Sequence, residues 1–127
     1  MEDIFVHPKL GELYAEDVDW QTDEVLVPFC KAPIGVCLAE GSDDQPSKAA
    51  SSGYDWIESH WSEVLRLLET QAFEFYKPYA EAVTAVPKFA TPEQLSDTEI
   101  LLYLRVFSKE DFTVTTRFAW QCKHPIN

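Results

Sequence analysis

Between Tyr54 and Tyr79 apolar residues return at every third or fourth position. Tyr54, Ile57, Trp61, Val64, Leu65, Leu68, Ala72, Phe75 and Tyr79 form one stripe, while Glu58, Glu63, Arg66, Glu69 and Glu74 fall mostly on the other side. This spacing predicts one amphipathic helix of roughly six to seven turns. Pro78 stops or kinks it, because proline has no N–H to give. The stripe is broad and aromatic, so it must be covered. The face expected to build the core is Tyr54, Ile57, Trp61, Val64, Leu65, Leu68 and Phe75. A chain of 127 residues has room for one domain and one core, so residues 1–127 are read as a single domain with a sheet beneath the helix.

The strands are read from alternation and from turn residues. Leu10 to Ala15 is a short first strand, with Pro8 suited to an edge position. The charged run Glu16-Asp17-Val18-Asp19, then Trp20 and Gln21-Thr22-Asp23, reads as a connection. Val25 to Phe29 is a second strand limited by Pro28. Ile34, Val36 and Leu38 alternate with Gly35, Cys37 and Ala39 in a third. Residues 40–53 are polar and small and read as a loop leading into the helix, with Ser47, Ser51 and Ser52 as candidate caps. Pro92 to Leu95 is read as one helical turn. A strand centred on Leu101 to Phe107 and its hairpin partner Phe112 to Trp120 complete the order. Three strands, one helix and two strands predict an α+β, two-layer fold: a mainly antiparallel sheet of about five strands covered by one long amphipathic helix.

Charge narrows the function classes. The net charge is -12, from 22 acidic and 10 basic residues. Residues 1–74 hold 16 acids and 4 bases, whereas residues 75–127 hold 6 of each. Such a field repels phosphate backbones and anionic lipid, and speeds encounter with a basic partner. Nucleic acid is excluded as a partner, because the aromatics are flanked by acids and no basic groove accompanies them. No apolar run approaches the length of a membrane span. The opening Met1-Glu2-Asp3 lacks the basic start of a secretory signal. Three cysteines, Cys30, Cys37 and Cys122, are an odd number and suit free thiols in a reducing compartment. These features predict a cytoplasmic protein; they leave its oligomeric state open.

No catalytic constellation stands out. The 4 glycines are dispersed and form no phosphate loop. The cysteines and histidines match no zinc knuckle, so no metal or cofactor is predicted. Cys122 and His124 are close enough in sequence to act as nucleophile and base, but nothing near them supplies an orienting group or an oxyanion site. The acids around Trp20 lack the ligand pattern of a calcium loop. They are read as the partner-facing stretch: Glu12, Glu16, Asp17, Asp19, Trp20, Asp23 and Glu24, with Trp20 as an aromatic anchor among steering charges. Gly11, Trp61, Trp120 and His124 are assigned structural roles.

Two segments carry a resemblance. The opening His7-Pro8-Lys9-Leu10-Gly11-Glu12-Leu13 leads to Trp20, and the terminal strand Phe112 to Trp120 is followed by Cys122 and His124. With the intervening helix, this resembles a bacterial group of small uncharacterised domains whose relatives include immunity proteins of polymorphic toxin systems. The ending departs from the group, with Gln121 and Lys123 at its acidic positions. The resemblance implies a binding role, since an immunity protein occludes a toxin and catalyses nothing. The reading is therefore a non-enzymatic binding protein, an immunity-type inhibitor of a basic toxin. Its rivals are a small enzyme using Cys122 and His124, and a structural domain whose acids only keep it soluble.

Overall fold

The computed structural model describes residues 3–122, with backbone alone at Gln121 and Cys122; Trp120 and what precedes it are described in full. The chain divides into two compact units. The first comprises Met1–His60 and Leu101–Thr115, the second Trp61–Ile100 and Thr116–Asn127.

Among the described residues the sheet has six strands, not five, in the order of the sequence. They are β1 (Ile4–His7), β2 (Gly11–Glu16), β3 (Asp19–Val25), β4 (Ile34–Leu38), β5 (Glu99–Ser108) and β6 (Asp111–Phe118). The first four form an antiparallel meander. β5 then pairs with β4 in parallel, so the sheet is mixed. The predicted α+β class stands, but five strands beneath one helix does not. β3 escaped detection because its exposed side is polar: Asp19, Gln21 and Asp23 alternate with Trp20 and Thr22, and the sequence resembles a charged loop. The segment from Leu26 to Phe29, expected in a strand, lies beyond β3. Leu26 is exposed and Val27 is buried there.

The predicted single helix is also corrected. Among the described residues there are three α-helices, α1 (Lys48–Ser59), α2 (Trp61–Ala82) and the short α3 (Pro92–Ser96), besides a 3-10 turn at Ala119–Cys122. The apolar period runs straight across the joint at His60, which is why periodicity misses the break. The backbone leaves helical geometry at His60, with φ -117° and ψ 26°. Local side chains take up carbonyls there. Ser59 Oγ donates to Asp55 O and Trp56 O, and His60 Nδ1 lies 2.9 Å from Trp56 O. Such bonds compete with helical continuation. At the other end the expected cap is found: Ser47 Oγ accepts from the Ala50 N–H at 3.2 Å, so the small-residue loop ends where α1 begins.

In the first unit α1 lies on one face of the sheet. Ala50, Gly53, Tyr54 and Ile57 are its buried residues. A methyl group on Gly53 would stand 2.6 Å from the Ser108 carbonyl carbon and 2.9 Å from Val106 Cγ1, so this contact tolerates no side chain. The strands meet the helix with Leu13, Trp20, Val36, Leu38, Leu104 and Val106, all buried. Full burial of residues of this size is the main favourable term in folding, about 1.5–3 kcal/mol each.

The second unit has its own cluster of Tyr76, Val86, Leu95, Phe118 and Trp120. Phe118 and Trp120 stack with ring centroids 5.3 Å apart. The Tyr76 hydroxyl donates to Pro87 O and accepts from the Phe89 N–H at 2.8 Å. Lys88 Nζ donates to Ala80 O in the last turn of α2 and to Val83 O just past its end, as a cation at a helix C-terminus should. Pro78 sits inside α2 rather than ending it. Phe75, expected in the core, is 65% exposed, and the neighbouring Tyr76 is buried instead. Trp61, assigned a structural role, is half-buried.

Candidate functional site

Period two divides the residues of the meander between two faces. The register pairs Ile4 with Tyr14, Val6 with Glu12, Tyr14 with Gln21 and Glu16 with Asp19. It continues from Gln21 to Cys37, and from there to Arg105, while Gly35 pairs with Tyr103. All of these lie on the face away from α1. The intervening residues Phe5, Leu13, Trp20 and Leu38 lie on the helix side. The outer face is therefore where most of the sequence-predicted acids come together.

At its centre is a polar network across four strands. Tyr103 OH donates to Gln21 Oε1 at 3.3 Å, and Gln21 Nε2 donates to Glu16 Oε2. The Tyr103 ring lies over Gly35, where a Cβ would come within 2.5 Å of Cδ2. Burial pushes the Tyr103 phenol up, with the neighbouring Cys37 adding to the effect. Burial likewise pushes the Cys37 thiol up, so it stays protonated and unreactive at neutral pH. Arg105 Nη2 bonds Asp19 Oδ2 at 3.0 Å, and Asp19 Oδ1 accepts from the Glu40 N–H at 3.0 Å. Both Asp19 oxygens are thus engaged within the protein.

The remaining acids have distinct places. Glu12 and Glu16 are exposed on the outer face of β2, and Tyr14 OH donates to Glu12 Oε2 at 3.1 Å. Asp23 and Glu24 stand at the register shift between Thr22 and Val25, and with Tyr14, Gln21 and Thr22 they line a shallow open depression. Asp17 turns the chain between β2 and β3 with φ 62°, a left-handed conformation that aspartate tolerates better than most residues. Trp20 is not with them. It is 1% exposed, its ring meets Phe5 edge-on at 6.1 Å, and its Nε1 donates to Ser42 O at 2.9 Å. It is a core residue and offers no surface anchor. In its place the sheet exposes Ile4, Val6 and Tyr14; Ile4 and Val6 were missed in the sequence because β1 was not recognised as a strand.

The opening motif has a structural explanation. His7 Nδ1 accepts from the Lys9 N–H at 3.1 Å and the Leu10 N–H at 3.2 Å, fixing the β1–β2 turn. Gly11 leaves that turn at φ 76°, which glycine adopts at no steric cost. Burial lowers the His7 pKa, in keeping with an acceptor nitrogen; Asp55 and Glu58 oppose this and Lys9 reinforces it. Lys9 in turn bridges to Asp55 at 3.0 Å and Glu58 at 3.6 Å on α1.

The proposed Cys122 and His124 pair lies outside the described side chains. Trp120 is buried in the second unit's cluster. Cys30 and Cys37 are free thiols, and burial pushes Cys30 up as well. Among the described residues no three His, Cys, Asp or Glu side chains are grouped to hold a metal ion. Among them, too, no helix is long and apolar enough to cross a membrane.

A family model described as "Domain of unknown function (DUF6985)" matches residues 9–122. His7, Pro8 and His124 fall outside that span. The description names no toxin, partner or reaction. No curated protein and no solved structure matches the chain.

Proposed function

Because the chain belongs to the DUF6985 family, whose description carries no activity, we propose from its own surface that it is a non-catalytic binding protein for a basic protein partner. Following the resemblance of its opening and ending segments, we place it as a cytoplasmic immunity-type inhibitor. One observation carries this reading. The first unit holds 15 acidic and 5 basic residues, against 7 and 5 in the second. Within it, Glu12, Glu16 and Asp19 project at strand spacing from one face, with Asp23 beside them. Asp19 is neutralised by Arg105, so Glu12, Glu16, Asp17, Asp23 and Glu24 provide the steering field. Exposed charges of this kind raise association rate more than affinity and are screened by salt. Nucleic acid and anionic membrane are poor partners for the same reason.

The test is to express the product of the neighbouring reading frame alone and together with this chain. Growth arrest relieved by this chain, and binding with a Kd below about 1 μM, or about -8.2 kcal/mol, support the proposal. A harmless neighbour that does not bind ends it.

A further inference from the structure

The two edges of the sheet are built differently. β6 alternates, with Asp111, Thr113, Thr115 and Arg117 exposed. That is the polar, charged edge by which proteins avoid pairing with other chains. β1, the other terminal strand, exposes Ile4 at 52% and Val6 at 70%, and among the described residues no strand covers its outer side. One strand further in, Glu12 lies beside Val6 and Tyr14 beside Ile4 on the same face.

We propose that the β1 edge receives an extended basic segment of the partner as an added strand; this rests on the basic-partner reading above. Strands sit about 4.8 Å apart, so a lysine or arginine on the added strand's outer face would lie directly beside Ile4 or Val6. Its aliphatic stem would cover them, and its charged head would reach the Glu12 or Glu16 carboxylate on β2. Long basic side chains partition in this way, stem on apolar surface and head in polar surroundings. The alternate residues of the segment face the α1 side, next to Phe5, where apolar side chains fit. The recognised sequence is therefore basic–apolar with period two. Backbone bonds along the edge supply affinity, and the alternating side chains supply selectivity.

The probe is an eight-residue peptide alternating lysine and valine, titrated by fluorescence anisotropy into the full chain at about 0.15 M salt. Its comparison is the block isomer, four lysines then four valines, of equal charge and composition. The alternating peptide is expected to bind at least about tenfold more tightly. N-methylation at all lysines or at all valines should abolish that advantage in one of the two forms, because it removes the donors facing β1. Ile4→Thr/Val6→Thr should reduce the advantage while leaving the block isomer unaffected. Equal binding of alternating, block and both N-methylated peptides would overturn strand addition and leave the basic-partner reading standing. Binding of none of them would overturn both.

Discussion

Trp20 Nε1 donates to the Ser42 carbonyl at 2.9 Å, tying β3 to the loop that leads into α1. The indole is 1% exposed and its ring meets Phe5. Trp20→Phe removes the donor, leaves the Ser42 carbonyl without this bond and opens a void. A loss of about 1–3 kcal/mol is expected, read from the urea midpoint. Partner association rate, measured on the folded variant, should be unchanged. A stable variant with slowed association would return Trp20 to the binding surface.

His7 makes stability depend on pH. Its Nδ1 accepts two backbone N–H groups, so a proton placed there breaks both bonds. Its folded pKa is lowered from the ordinary value near 6.5. Between the two pKa values the unfolded chain binds more protons, and stability rises with pH. The His7 contribution is complete above about pH 6.5 and is lost as pH falls through the lowered folded value. Comparing urea midpoints at about pH 7.5 and 5.5 should show a smaller acid loss in His7→Asn, whose side chain can accept the same N–H groups without titrating. An identical loss in both proteins would rule out His7 as the source.

At Gly53 two principles oppose each other. Alanine is better than glycine inside a helix by about 1 kcal/mol. Here, however, the added methyl meets backbone atoms of Ser108 and Lys109 at 2.6 and 2.8 Å. Overpacking typically costs about 1–3 kcal/mol, and a backbone obstacle is the harder kind to move. Gly53→Ala should therefore lower stability in thermal or urea unfolding. A gain would show that α1 can shift away from the β5–β6 turn without penalty.

Tyr76 and Phe75 form a matched pair. Tyr76→Phe leaves Pro87 O and the Phe89 N–H without the hydroxyl they share, an expected loss of about 1–3 kcal/mol with faster hydrogen exchange at the Phe89 amide. Phe75 is exposed, so Phe75→Ala should stay within about 0.5 kcal/mol. Reversed magnitudes would mean that α2 is rotated about its axis.

Where a sequence pattern had a single cause, it was legible. Ile34, Val36 and Leu38 alternate because one side of β4 faces α1, and Ser47 announced the start of that helix. Where two causes produced one pattern, it misled. Helical periodicity continues from Tyr54 into α2 because each helix buries a face of its own, so the stripe conceals the break at His60. Spacing at three or four residues fits either Phe75 or Tyr76, and only packing selects the tyrosine. β3 reads as a charged loop because an outer strand face carries acids without disturbing the ladder. For the candidate site, the acids themselves were legible. That Trp20 turns inward while Ile4 and Val6 turn outward was not, because a face is assigned by register, and register is set by pairing with distant residues.

The parallel pairing of Gly35 with Tyr103 sets an order for assembly. β1, β2 and β3 are joined by short turns and β3 to β4 by the segment 26–33, so their contacts are local along the chain. β5 reaches β4 only after α1, α2 and α3 have been traversed. Closing so long a loop carries its entropic cost before any ladder bond forms in return. During synthesis the four-stranded meander has left the ribosome well before its parallel neighbour exists, and its β4 edge waits unpaired. That interval is when the nascent chain is most exposed to mispairing with other strands.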